Sequence, residues 1–398
     1  MTDTVDFLII GGGVVGLTVA LEIRKRHRRA VIRVLEKEDQ VGAHASGRNS
    51  GVLHAGFYYT PDSLKAQLTR DGCAAWTEYH EEFRLPIRRC GKLVVTQQET
   101  ELRGLRQLFE RGQTNDVELE WISAEAAREI EPRVRTVESA IWSPSTASVD
   151  PGTLMTHLGE RCEQELIQVC TGTAFVDRRA EAVVTTAGSV DPGYVINAAG
   201  LHADRVARSY GFGSRYRVVP FRGAYLYGNN SEQLQTHIYP VPDSRFAFLG
   251  VHFTVTPSGG VKIGPTAMPG LWREHYGGLG GFVAGDAVEV ATEVGRLLVR
   301  GGQPFRRHAL SEVRKLSRHH LVGLAGQLAE DIDPSDYTDW GRPGIRAQLV
   351  DRISGQMVDD FVLEGDNESM HILNAVSPAF TCALPFAAVV ADRIESAP

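Results

Sequence analysis

Short apolar runs alternate with helical stretches at the start of the chain. Val5-Asp6-Phe7-Leu8-Ile9-Ile10 is almost continuously apolar and of strand length, the pattern of a strand buried on both faces of a parallel sheet. A glycine cluster follows. Across residues 14–25, Val15, Val19, Leu21 and Ile23 fall at helical spacing, and residues 30–35 predict a second strand. The first 36 residues therefore read as a compact βαβ unit. Further along, the pattern predicts a helix over 62–83 and a strand over 91–95. The charged stretch 97–135 predicts surface helices with a strand near 117–121. Asp150-Pro151 predicts a helix start, with Asp150 as N-cap and Pro151 in the first turn. Two β-rich segments end at Tyr194-Val195-Ile196-Asn197-Ala198-Ala199-Gly200, and residues 217–264 are strand-rich. Helices are expected over 287–300 and 309–328, then a strand over 371–375 and a closing helix over 379–394. No internal repeat is visible. The expected architecture is an α/β, Rossmann-like nucleotide domain interrupted by an inserted antiparallel, β-rich α+β domain. The first is assigned residues 1–85, 140–215 and 335–398, the second 86–139 and 216–334.

Composition narrows the function. A net charge of −7 argues against a general nucleic-acid binder. The five cysteines are odd in number and none are spaced as CxxC, which points to free thiols in a reducing compartment and to no metal site. No apolar stretch approaches the roughly 18 residues of a membrane span, and no signal-peptide pattern opens the chain. The expectation is a cytoplasmic protein, at most peripheral at the inner membrane face.

The glycine cluster is specific. Gly11-x-Gly13-x-x-Gly16 follows one strand and opens a helix that starts at Val14 and Val15, and Glu36 ends the next strand. Gly11 permits the tight turn, Gly13 lets backbone approach a pyrophosphate, and Gly16 allows close helix–strand packing. The helix N-terminus offers N–H groups and the positive end of its dipole to phosphates. Glu36, with Lys37 beside it, is placed to accept hydrogen bonds from a ribose diol. The polar loop Ser46-Gly47-Arg48-Asn49-Ser50-Gly51 comes soon after. Its place, and the fingerprint's N-terminal position, favour FAD over NAD.

From here the wording becomes that of a known family. Arg48-Asn49-Ser50-Gly51-Val52-Leu53-His54-Ala55-Gly56-Phe57-Tyr58-Tyr59 resembles flavoenzymes of the D-amino-acid-oxidase superfamily, and within it the L-2-hydroxyglutarate oxidases and dehydrogenases. The resemblance continues in Val195 to Asp204, including Ala199 and Gly200, and in Pro220-Phe221-Arg222-Gly223. It recurs at Ile238 to Asp243, Phe248 to Thr254, Gly344-Ile345-Arg346-Ala347-Gln348 and Asn374 to Ala379. It weakens over 97–135. It departs from the family pattern at Ala224, Thr266, Lys262 and Phe380-Thr381-Cys382. The resemblance implies an FAD-dependent oxidation of a small 2-hydroxy carboxylic acid. A hydride would pass to flavin N5, and oxygen or a quinone would be the final acceptor. An amine or amino-acid oxidase of the same superfamily is the alternative. The resemblance also implies that the helix entered through Ser377-Pro378-Ala379 points its N-terminus at the flavin ring.

Such chemistry needs a base for the hydroxyl proton and cations for the carboxylate. Histidine is the natural base near neutrality, and His252 and His54 stand in family-like context. His27, His80, His308, His319 and His320 read as surface residues. Arg222 and Arg346 are candidates for planar carboxylate recognition, with a structural ion pair, or for Arg346 a flavin contact, as the alternative. Tyr59 and Tyr239 are candidate hydroxyl donors. Lys262 resembles a lysine of the sarcosine-oxidase branch that assists oxygen; an exposed strand lysine is the other reading. The basic run from Arg306-Arg307-His308 to Arg318-His319-His320 reads as a solvated helix face or as a membrane-docking patch.

Overall fold

The computed structural model describes residues 3–229, 234–242, 249–300 and 302–396. Residues 302–305, 307 and 308 are described by backbone alone. The chain forms two compact units. The first comprises Met1–Asn49, Pro151–Pro220 and Arg346–Pro398; the second comprises Ser50–Asp150 and Phe221–Ile345.

In the first unit, Asp3–Ile10 lies centrally in an eight-stranded sheet, between Ile32–Leu35 and Gly188–Asn197 and parallel to both. Gln168–Cys170 extends one side in parallel. Ser369–Ile372 pairs in parallel with Gly188–Asn197. Leu8, Ile9, Ile32, Val34 and Ile196 have no exposed surface, which explains the continuous apolar runs. The helix Val14–Arg26 packs on Ala379–Glu395 and on Pro151–Gln164. Gly16 allows the glycine turn to close on that helix, since a Cβ there would fall 1.9 Å from Gly11 O.

The second unit is built on another eight-stranded sheet. Its order is Tyr337–Trp340, Leu226–Gly228, Val261–Gly264, His252–Val255, His237–Pro240, Lys92–Val95, Ser139–Ser143 and Glu120–Ser123. All its pairs are antiparallel except Lys92–Val95 with His237–Pro240. One face is apolar: Leu93, Val95, Ala140, Ile238, Phe253, Val255 and Ile263 pack with Leu321, Val322 and Ala325. Period-2 alternation sends the intervening residues to the other face.

Several expectations shift. Residues 50–85 and 140–150, expected with the nucleotide domain, belong to the second unit. Val52–Leu53 and Ile87–Arg88 both pair with Ala147–Val149, which ties these segments into one small sheet. The helix expected over 309–328 is two helices, Gly302–Arg314 and Arg318–Ala325. Ser317 is extended between them. The strand expected at 117–121 is Glu120–Ser123. His80 is not a surface residue: it is 2% exposed and its Nδ1 lies 2.7 Å from Trp76 O. It completes the buried stripe Thr69, Gly72, Cys73, Trp76 and His80 of the helix Leu64–Glu82. Part of the motif 238–243 and part of 248–254 lie outside the described residues, as does the side chain of His308.

Candidate active site

The first unit carries a nucleotide cradle. Gly11 has φ +117°, which an L side chain rarely adopts. A Cβ there would lie 2.4 Å from Ala198 O, and one on Gly13 would lie 3.0 Å from Ser46 Oγ. Both glycines keep the turn open to a phosphate. Glu36 is buried, and its carboxylate accepts from Gly12 N–H and Glu38 N–H, each at 2.9 Å. These bonds hold the acidic group at the end of its strand. Not every amide at the helix start is open, because Val14 N–H donates to Ser46 Oγ at 2.9 Å. Val15 is buried in the first turn. Arg48 Nε donates to Ala43 O at 2.6 Å and Asn49 Nδ2 to Ser46 O at 2.7 Å, so both side chains brace their own loop. Lys37 pairs with Glu38. The fully buried Asn197 donates to Ala203 O and accepts from Ala199 N–H, shaping the turn at Ala199 and Gly200. Ser377 and Pro378 precede the helix that begins at Ala379. These residues fit a dinucleotide. Ser50 and Gly51 fall in the second unit.

The second unit carries the titratable groups on the non-core face of its large sheet. Two register rows define them. In one, Lys92 pairs with His237, which is level with the Thr254–Lys262–Tyr227 pairing. In the other, Val94 pairs with Tyr239, level with His252 and Gly264. Lys92 and His237 are fully buried, and His252 and Lys262 are at most 4% exposed. The Tyr239 and His252 rings stack, with centroids 3.8 Å apart and planes 17° apart. Tyr225 meets His252 edge-on at 6.4 Å.

His252 Nδ1 lies 2.8 Å from Gly250 O. A carbonyl can only accept, so Nδ1 carries the hydrogen and the neutral ring has its lone pair on Nε2. His237 is fixed the other way: its Nδ1 accepts Val255 N–H at 3.0 Å, and its Nε2 lies 3.3 Å from Cys90 Sγ. Burial, reinforced by Lys92, pushes both His54 and His237 well below the ordinary histidine pKa. Burial also lowers Lys262 to about 8, against the opposing pull of Asp150, and Lys92 to about 7. The Lys262 ammonium lies 5.0 Å from the Tyr225 ring centroid. The Tyr58 and Tyr239 hydroxyls are held neutral by burial.

The structure thus gathers His252, Tyr239 and Lys262 on one face, with His54 electrostatically coupled to it. Lys92, His237 and Tyr58 belong to the same group and were not singled out from the sequence. Tyr58, rather than its neighbour Tyr59, lies 4.7 Å from the Lys92 ammonium. Arg222 lies in the second unit, cross-strand from Met268, and its Nε is buried with no hydrogen-bond partner among the described residues. Arg346 lies in the first unit, on the strand Gly344–Asp351.

Comparison with known proteins gives the family and the fold. The family model described as DAO, FAD dependent oxidoreductase, matches residues 6–393. A mitochondrial L-2-hydroxyglutarate dehydrogenase of Nematostella vectensis is 36% identical, covering 98% of this chain and 90% of the relative. The L-2-hydroxyglutarate dehydrogenase of Escherichia coli strain K12 is 33% identical, covering 98% and 93%. Among solved structures, an L-alpha-glycerophosphate oxidase from Mycoplasma pneumoniae with FAD bound superposes with a TM-score of 0.78 at 21% identity, covering 99% and 95%. A glycine oxidase from Geobacillus kaustophilus gives 0.75 at 19%, covering 100% and 96%. With the glycine cradle, the buried polar face and full-length matches in accord, this chain belongs to the DAO family of FAD-dependent oxidoreductases.

Proposed function

We propose that this enzyme oxidises L-2-hydroxyglutarate to 2-oxoglutarate. The observation that carries the reading is near full-length identity of 33–36% to relatives named for that substrate. The chemistry of the second unit supports it. Oxidation at C2 requires the hydroxyl proton to leave while the carboxylate is held. His252 is the base: its Nδ1–H is anchored on Gly250 O, so Nε2 takes the proton. Stacking on Tyr239 holds the ring in plane. Arg222, with its buried unpartnered Nε, is the carboxylate ligand. FAD, when bound, supplies what side chains lack, accepting the C2 hydride. The experiment is a product assay with an artificial electron acceptor. One mole of 2-oxoglutarate per mole of two-electron acceptor reduced supports the reading. Turnover only with amines, rising with pH as the amine deprotonates, would replace it by the amine-oxidase alternative.

The proposal extends to the electron acceptor, and a surface feature supports it. Leu279, Phe282, Val283, Val288, Val299, Leu310, Val313 and Leu316 are all exposed, along or beside the helices Ala284–Arg300 and Gly302–Arg314. Arg300, Arg306, Arg314, His319 and His320 are exposed in the same segment. Apolar side chains flanked by cations match an anionic lipid surface. Among the described residues no helix is long and apolar enough to cross a membrane. The enzyme therefore docks peripherally and delivers electrons to a quinone. Oxygen consumption as fast as quinone reduction would contradict this.

A further inference from the structure

Lys92 is the first residue of its strand and has no exposed surface. Its ammonium has no hydrogen-bond partner among the described residues. It lies 4.5 Å from the Phe57 ring centroid, 4.7 Å from Tyr58 and 5.1 Å from Tyr239. The titratable groups around it are His237 and Tyr239 from the adjacent strand, His54 and Tyr58 from the segment after Val52–Leu53, and Cys73 from the helix Leu64–Glu82. No carboxylate is among them. A buried cation without an anion is unfavourable, and an apolar residue would pack there at lower cost. Lys262, the other buried lysine of this face, differs in having Asp150 to offset its charge. The two lysines stand in one cross-strand row with three strand spacings between them, roughly 14 Å from Cα to Cα. The His252–Tyr239 stack is in the adjacent row, on the strands between them. A cation therefore stands to either side of the proposed base.

We propose that Lys92 is the counter-ion for the second, distal carboxylate of the substrate, so that the enzyme selects 2-hydroxy diacids over 2-hydroxy monoacids. The proposal rests on the oxidase reading above and adds the source of its specificity. An incoming carboxylate supplies the anion that the aromatic surround lacks. It does so in a dry environment where a charge-assisted contact is strong. Arg222 and His252 act on C1 and C2, which monoacids share, so their loss lowers both substrate classes together. Loss of Lys92 discriminates between the classes.

The test compares L-2-hydroxyglutarate with L-2-hydroxyvalerate on the FAD-loaded enzyme, wild type against Lys92→Met and Lys92→Gln. The diacid-to-monoacid ratio of kcat/KM should fall at least about a hundredfold in both variants, mostly through KM for the diacid. An unchanged ratio would overturn the proposal, whether activity is kept or lost equally on both acids. The wild type gives an arm that needs no folded variant. Because the distal carboxylate requires the ammonium, the same ratio should fall about tenfold per pH unit above the Lys92 pKa of about 7 in the free enzyme. A ratio flat with pH from 7 to 9 contradicts the proposal. If the wild type oxidises neither acid, the oxidase reading has failed. Lys92 is then tested by binding alone, glutarate against butyrate, followed in the flavin spectrum. Preference for glutarate that vanishes in both variants sustains the counter-ion, and equal binding of the two removes it.

Discussion

At the level of single residues, the site trades stability for chemistry. Folding carries Lys92 from an ordinary lysine pKa to about 7. Between pH 7 and about 10.5 the unfolded chain holds a proton that the folded chain does not, so this group's contribution makes stability rise with pH across that window. Below pH 7 the full cost is present, on the order of several kcal/mol at about 1.4 kcal/mol per pKa unit. Lys92→Met should therefore melt above the wild type at pH 6, with the gap closing towards pH 10; a variant melting below the wild type at pH 6 contradicts the electrostatic account. His252→Gln should slow flavin reduction by about 10²–10⁴-fold, measured by stopped flow, while FAD content stays full. A near-normal rate would remove His252 as the base. His252 and His54 were legible as candidates because each stands in a family-like phrase, and Lys262 because it resembles the lysine of the sarcosine-oxidase branch. Lys92 and His237 were not, for a physical reason. A lysine opening a strand ordinarily faces water, and only the tertiary fold shows that both faces of this sheet are covered. A signal did exist: His237-Ile238-Tyr239 and His252-Phe253-Thr254 share the same polar–apolar–polar alternation. His80 was misread for a related reason, since its i+4 spacing from Trp76 places it in the buried stripe of its helix.

At the level of elements, the βαβ opening was fully legible, because glycine spacing and strand hydrophobicity are local properties. Gly16 is its most demanding position. Gly16→Ala would put a Cβ 1.9 Å from Gly11 O, forcing the helix off the strand and opening the cradle. The variant should purify with little or no FAD, read from the ratio of flavin to protein absorbance; a fully yellow Gly16→Ala protein would show that the cradle is not where the cofactor is held. The break at Ser317 was not legible, since residues 309–328 keep a helical apolar pattern across it and contain no proline or glycine before Gly323. The cap geometry at Ser317 emerges only with the packing of Leu321, Val322 and Ala325 into the sheet's core. Domain limits failed similarly: the pairing of Val52–Leu53 with Ala147–Val149 joins residues nearly a hundred positions apart, which no local pattern reports.

For the whole molecule, the two sheets divide the labour. A mixed sheet with a parallel centre and a glycine turn binds the nucleotide, and a largely antiparallel sheet presents buried histidines and lysines. The class of each was legible from run length and alternation. The apolar surface around the helix Ala284–Arg300 was not, because its leucines and valines resemble core residues until their exposure is known. Replacing Leu279, Phe282 and Val283 together by Ser should reduce co-sedimentation with anionic vesicles several-fold and leave kcat with a soluble dye unchanged. Unaltered sedimentation, or none in the wild type, would remove this surface as a membrane-docking site.

The proposed reaction removes a hydride from the L-enantiomer of 2-hydroxyglutarate. The most direct measurement is anaerobic mixing of the FAD-loaded protein with either enantiomer, followed by flavin absorbance. Rapid bleaching with the L-acid and none with the D-acid is the predicted result. A flavin that stays oxidised with the L-acid would contradict the assignment.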